Sequence, residues 1–429
     1  MSKINIFWFR RDLRLDDNTA LSEALKQENK VLPIFIFDKE ILSNLEDKYD
    51  KRVDYFHQAL EQMNEELKKH GSSIKTYFDK PLDAFKKITD EFDVEMVFVN
   101  RDYEPQAIKR DEEIRKFLEK KDIKMADFKD QIIFEKAEVV KGDGSPYTVY
   151  TPYSRKWKEA FKQIKFQNNK TVFSNFYQNK SFKILSLKEI RFEKTDLKFS
   201  EHTLSKKLIT DYNKTRDFPG LDATTRIGIA LRFGTISIRK CVDFASKHNE
   251  VWLNELIWRE FFMQILYHFP KVVATSFKEK YENIEWRNDE KEFKLWCEGK
   301  TGYPIVDAGM RQLNESGFMH NRVRMVTASF LTKHLLIDWR WGEAYFAEKL
   351  LDYELSSNNG NWQWAAGCGC DAAPYFRIFN PEEQQKKFDK DGSYRFSWLP
   401  EDYNAEPMVD HKKARERALE IYKKAVKDN

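Results

Sequence analysis

The chain has 429 residues, enough for two or three domains and a large core. Charged residues make up 34% of it, yet the net charge is only +4, so the whole-chain charge does not single out a nucleic acid partner. No apolar run approaches the ~20 residues of a membrane span, which argues against a transmembrane protein. The four cysteines, Cys241, Cys297, Cys368 and Cys370, lack zinc spacing. They read as small packing residues in a reducing compartment, with a redox or metal pair at Cys368 and Cys370 as the weaker alternative. A strand-like run begins at once, with no secretory leader ahead of it, so the expected home is the cytoplasm. Nothing in the sequence suggests an obligate interface, and a monomer is expected.

From the N-terminus, short apolar runs at 4–9, 31–37, 74–78 and 96–99 read as buried strands. Helical patterns at 19–27, 50–70, 81–91 and 105–120 lie between them. This βαβα rhythm predicts a parallel sheet with helices on both faces. No G-x-G-x-x-G follows the first strand. The charged loop "RRDLRLDDN" falls where open α/β sheets present ligands, but its composition fits surface salt bridges better. Residues 131–200 read as a connector, with turn chemistry in "KGDGSPYTVYTPYSRKW" and a polar surface linker in "QNNKTVFSNFYQNKSF". Beyond about residue 200 the period is helical throughout. "EVWLNELIWREFFMQILYHF" is apolar over most of its circumference and predicts a buried helix. The C-terminal "HKKARERALEIYKKAVKDN" predicts a charged amphipathic helix acting as a solvated cap. Eight of the eleven tryptophans lie between Trp252 and Trp364, which places an aromatic-rich site or core in the second half.

The stretch richest in site-like residues is 352–381, "DYELSSNNGNWQWAAGCGCDAAPYFRIFNP". Its asparagines, paired tryptophans and single Arg377 are costly in a core unless a polar, planar group binds among them. On a helix, Trp362 and Trp364 project about 200° apart, so one ring can face a buried cofactor and the other an open pocket. Two core aromatics are the plain alternative. In "RDFPGLDATTRIGIALRFGTIS", Thr224, Thr225 and Arg226 stand at an apparent helix start, where hydroxyls and free N–H groups suit a diphosphate or simply cap the helix. Glu255 and Trp258 share one helical face, as do Asn321 and Met325. On residue type alone Trp258 and Met325 are core residues and Glu255 is a surface charge.

These strings, together with the N-terminal "IFWFRRDLRLDDNTAL", resemble the photolyase and cryptochrome family, and within it the class I cyclobutane pyrimidine dimer (CPD) photolyases. The resemblance implies an α/β N-terminal Rossmann-like domain with a parallel sheet and a large all-α C-terminal FAD-binding domain. It divides the chain into an antenna-binding domain (1–130), a connector (131–200) and a helical FAD- and lesion-binding domain (201–429). FAD, active when reduced, would be held by Tyr212, Thr224, Thr225, Arg226, Ile227 and Gly228 around its phosphates and ribityl chain. An Arg324–Asp352 ion pair, Glu354 and Asn358 would surround its ring system. Gly228 replaces a common Ser and Glu354 a common Asp, which puts those two contacts in question.

The resemblance further implies a lesion pocket of Glu255, Trp258, Asn321, Met325 and Trp364, with Arg216, Arg322 and Arg377 on the DNA backbone. Trp362, Trp339 and Trp286 would relay electrons between flavin and surface. The implied function is light-dependent repair of CPDs in DNA by electron transfer from excited reduced FAD. Asn358 stands where plant-type cryptochromes carry Asp, and Asn321 and Met325 stand where (6-4) photolyases carry His, so both argue for CPD repair. A blue-light photoreceptor without repair activity is the main rival, and a light-independent nucleotide-binding enzyme is a third. Residues 100–104 and 38–42 fall in the family's antenna region. The antenna stays open between methenyltetrahydrofolate, a deazaflavin, another flavin and none; Val273 stands where folate-antenna members can carry Cys.

Overall fold

The computed structural model describes residues 2–166, 169–179, 181–199 and 202–427. The chain packs as two units, neither continuous in sequence. One comprises residues 1–135, 163–203 and 227–244; the other comprises 136–162, 204–226 and 245–429.

The first unit is built on five parallel strands, β1 (Ile4–Phe9), β2 (Val31–Asp38), β3 (Lys75–Asp79), β4 (Val94–Asn100) and β5 (Lys124–Phe128), in the order β3-β2-β1-β4-β5. All four pairings are parallel. Side chains alternate across the sheet. Phe7, Phe9, Phe35 and Phe37 feed one core. Ile4, Ile6, Trp8, Ile34 and Ile36 feed the other. Both faces are therefore covered by helices, as expected for an all-parallel sheet. The strand β5 was not anticipated: its sequence, KMADF, has no apolar run, and it is a half-exposed edge.

The charged loop after β1 is not a surface feature. Arg10 pairs with Asp111 at 2.6 Å, Arg14 with Asp130 at 2.6 Å, and Arg239 with both Asp17 and Asp130, all of them mostly buried. Burial would raise the Asp130 carboxyl, but Arg14 and Arg239 hold it at about 2. The order of strands reverses between β1 and β4, the position at which open α/β sheets present ligands. Here Asn100 spends its amide on Asp12 (2.6 Å) and Asn18 (2.7 Å). Asp38 caps the helix Lys39–Ser43 through the N–H of Glu40.

The segment read as a surface linker also has a structural role. Phe176 of that segment, and Ile190 and Phe192 further along the connector, are buried in the first unit's core, and the Tyr177 N–H donates to the Val31 carbonyl at 2.8 Å. Three isolated anchors in a polar stretch carry no period and so escape a pattern search.

The second unit is helical. Its central helix, Glu250–His268, is capped by Asn249 and buried around most of its circumference. The helix Tyr150–Phe161 packs on it through a buried carboxylate: Glu260 accepts from Trp157 Nε1 at 2.6 Å and from the Tyr153 hydroxyl at 3.2 Å. The helices Pro304–Ser316, Asn321–Ser329, Trp339–Lys349 and Leu355–Ala366 complete the core. The C-terminal helix His411–Lys427 is more than a solvated cap, because it buries Tyr422 edge-on against Trp286 at 5.9 Å. Among the described residues no helix is long and apolar enough to cross a membrane.

Candidate functional site

Two helices in the second unit supply most of one cavity. Asn321–Ser329 presents Asn321, Arg324, Met325 and Ala328 on one face at three- and four-residue spacing. Leu355–Ala366 presents Asn358, Asn361, Trp362, Trp364 and Ala365. With Phe346, Leu350 and the turn at 352–354 they line one cavity of about 100 Å³. Both tryptophans line this one cavity; Trp362 is buried and Trp364 partly exposed.

The polar groups on its walls are tightly tied. Arg324 Nη2 spans the Asp352 carboxylate at 2.9 and 3.1 Å, while its Nε donates to the Met319 carbonyl at 2.7 Å. Asn358 Nδ2 donates to the Glu343 carbonyl and to Glu343 Oε1, both at 3.0 Å. Its amide oxygen is thereby left as an acceptor for a ligand. Burial pushes the Glu343 carboxyl up, against the bond from Asn358. Glu354 caps the Asn358 helix, accepting from the Ser357 N–H at 3.1 Å and from both serine hydroxyls.

Two glycines set how closely the helices approach. A Cβ at Gly360 would lie 2.1 Å from the Phe262 ring, and one at Gly342 would lie 2.2 Å from the Trp362 ring. Both contacts are far inside van der Waals distance, so each glycine is the seat of an aromatic ring.

Glu255 and Trp258 do not line this cavity; they form a cluster of their own on the Glu250–His268 helix. Glu255 pairs with Arg216 at 2.5 Å, and the Arg216 guanidinium lies 5.2 Å from the Tyr212 ring centre. Burial raises the Glu255 carboxyl, opposed by Arg216. Arg322 and Arg377 line an open cleft with Lys214, Lys387 and Phe388. Arg322 bonds Asp217 at 2.7 Å and lies 4.2 Å over the Phe388 ring. Because Asn321 lines the cavity and Arg322 the cleft, the two meet at the start of one helix.

That start depends on a neutral histidine. His320 Nδ1 caps the helix by accepting from the Arg322 N–H at 3.2 Å. Burial first, then the Arg324 guanidinium, pushes its pKa down to about 4. The folded state refuses a proton that the unfolded chain accepts below about 6.5. His320 stabilisation is therefore complete above that pH and is lost as pH falls toward 4, amounting to roughly 3 kcal/mol. Replacing His320 with Asn keeps a capping acceptor that does not titrate. Melting temperatures between pH 7 and 4.5 should then fall less steeply in the variant; equal slopes would exclude His320 as a source of acid sensitivity.

Comparison with known proteins places this architecture. Residues 5–171 match the family model described as DNA photolyase, and residues 252–405 match that of the FAD binding domain of DNA photolyase. The deoxyribodipyrimidine photo-lyase of Vibrio cholerae is 35% identical, with the match covering 98% of this chain and all of the relative. The chain belongs to the DNA photolyase family. Among solved structures, an archaeal photolyase from Sulfolobus tokodaii with two FAD molecules aligns with a TM-score of 0.87 at 33% identity, covering 98% of this chain and 99% of that one. A class III photolyase from Agrobacterium tumefaciens aligns with a TM-score of 0.86 at 32% identity, covering 100% and 98%.

The second unit thus carries the photolyase family's flavin-binding domain, and its cavity offers the kinds of group that a flavin ring system takes. It offers apolar walls at Ala328, Phe346 and Leu350, a fixed ion pair, and one amide oxygen. The phosphate-region candidates are arranged differently from the expectation. The helix starts at Gly228 with Ile227 as its N-cap and no side-chain cap, so Thr224, Thr225 and Arg226 precede it by two to four residues. Arg226 pairs with Asp222 at 2.9 Å. The chain passes from one unit to the other between Arg226 and Ile227. Trp362, Trp339 and Trp286 share one apolar cluster, the first two buried and Trp286 partly exposed.

Sequence reasoning passed over Glu343, His320 and Tyr150. Glu343 and His320 act through bonds to residues already singled out, and the spacing of a sequence does not reveal such partners. Among the described residues no group of His, Cys, Asp and Glu forms a metal site, and no disulfide joins the cysteines.

Proposed function

We propose that this chain splits cyclobutane pyrimidine dimers in DNA under near-ultraviolet or blue light, as a class I CPD photolyase. One observation carries the reading: a single cavity holds Arg324, Asp352, Asn358 and Trp362 together with Asn321, Met325 and Trp364. Bound FAD in its reduced form supplies the light-driven electron. The chain does the rest. Arg324 and Asp352 hold the ring system, and Asn358, fixed by Glu343, presents its amide oxygen to it. Trp364 and Met325 provide flat and soft apolar surface for an extruded pair of bases, with the Asn321 amide for a base edge. Glu255 and Trp258 add an acid and a second ring from the central helix, and Trp339 and Trp286 extend the tryptophan series from Trp362 outward. The protein works as a cytoplasmic monomer on this reading.

Illumination of the purified protein with a dimer-containing oligonucleotide tests it. Thymine absorbance should recover in light and not in darkness. Dimer binding with no recovery in light would favour a photoreceptor instead.

Arg322 and Arg377 serve the DNA backbone in this account, since guanidinium forks suit phosphate. Replacing Arg377 with Ala should weaken binding to damaged and undamaged DNA alike. It should also lower the slope of log affinity against log salt by about 1. Titrations at several salt concentrations check this; a loss confined to damaged DNA would move Arg377 to the lesion itself.

A further inference from the structure

Tyr150 opens the helix Tyr150–Phe161, and its ring lies flush on Trp258. The centroids are 3.6 Å apart and the planes 5° from parallel. Three further contacts fix it there. The hydroxyl donates to the Asn254 carbonyl at 2.9 Å, one turn before Trp258 on the same helix. The backbone N–H donates to the Asp371 carboxylate at 2.9 Å, in the loop that follows the Trp364 helix. The Phe261 ring stands edge-on to both rings, at 5.9 and 5.6 Å. Burial and the nearby Glu255 carboxylate keep the phenol protonated, so the hydroxyl remains a donor.

Trp258 is only partly buried, so Tyr150 covers one side of an indole that still reaches solvent. A parallel ring at this distance is the contact a nucleobase would make. The occupied face is therefore closed to the lesion unless Tyr150 leaves, and the bonds to Asn254 and Asp371 hold it in place. Those bonds also tie the Trp258 helix to the loop after Trp364, linking the elements that carry both tryptophans.

We propose that Tyr150 is a positioning residue for lesion recognition, backing Trp258 so that the opposite face of the indole is presented to the damaged bases. This rests on reading Trp258 as part of the lesion site. The contribution of such a stacked pair corresponds to a change of about three- to tenfold in affinity.

The test is dark binding of the flavin-loaded protein to a dimer-containing and to an undamaged oligonucleotide, in the wild type and in Tyr150→Phe, Tyr150→Leu and Tyr150→Ala. Tyr150→Phe keeps the stack and should retain the wild-type preference for the dimer. Tyr150→Leu fills the space without a planar face and should lower the preference about three- to tenfold, with undamaged DNA bound as before. Tyr150→Ala should do at least as much. Should the alanine variant not fold, the leucine and phenylalanine pair decides alone. A preference unchanged in Tyr150→Leu would overturn the proposal, and a raised one would show that Tyr150 blocks the face instead. A wild type with no preference for the dimer would refute the repair reading itself, a separate result seen before any variant is made.

Discussion

Gly360→Ala is expected to cost the protein most of its flavin. The new methyl group would sit 2.1 Å from the Phe262 ring. Phe262 is only 5% exposed, packed in the core beside Trp258 and Phe261. The helix carrying Asn358, Trp362 and Trp364 must then lift from the central helix. Overpacking of this kind costs about 1–3 kcal/mol where the core can adjust, and a rigid ring places this site at the upper end. A shift of the Asn358 helix also breaks the bond to Glu343 and opens one wall of the cavity. The variant should purify with at least tenfold less flavin per chain and melt several degrees lower. Trimming the opposing ring with Phe262→Leu should recover part of both losses in the double variant. Full flavin content in Gly360→Ala would mean that the two helices are not closed as described.

The second large effect is expected at Trp364. The indole lines the cavity, partly exposed, on the same helix as buried Trp362. A base stacked on an aromatic side chain contributes about 1–3 kcal/mol, which is roughly five- to 150-fold in affinity. Trp364→Ala should therefore weaken dimer binding by about that factor and leave binding to undamaged DNA nearly unchanged. Flavin content should hold, because the Arg324–Asp352 pair and the Asn358–Glu343 bonds do not involve Trp364. Equilibrium titration with both oligonucleotides, alongside the flavin absorbance of the variant, separates these quantities. Equal losses for both DNAs would make Trp364 a general support of the fold rather than a wall for the lesion.

Much of this architecture was legible in the chain. The strands β1 and β2 are nearly continuous apolar runs, and a run buried on both faces leaves a clear trace. The central helix Glu250–His268 was legible for the same reason. Readings failed where burial is achieved by pairing rather than by apolarity. The loop 10–18 looks like surface because it is charged, yet Arg10, Arg14 and Asp17 are neutralised by Asp111, Asp130 and Arg239 from elsewhere in the first unit. The stretch 169–179 looks like a linker because one phenylalanine, Phe176, does the anchoring. At the C-terminus Tyr422, with Ala414, Ala418 and Ala425 on the same face, turns a charged helix into part of the core. At the site, residue types announced Asn358, Trp362 and Trp364, but the partners that orient such groups were invisible. Glu343 lies 15 residues from Asn358, and Tyr150 more than a hundred from Trp258; only the fold brings each pair together.

The central claim is that flavin and lesion share one cavity, close enough for an electron to pass directly. Fluorescence of the reduced flavin in the intact protein measures this. Saturating it in the dark with dimer-containing DNA should quench the emission and shorten its lifetime, while undamaged DNA at equal occupancy should leave both unchanged. A bound dimer that leaves the lifetime untouched would contradict the shared cavity.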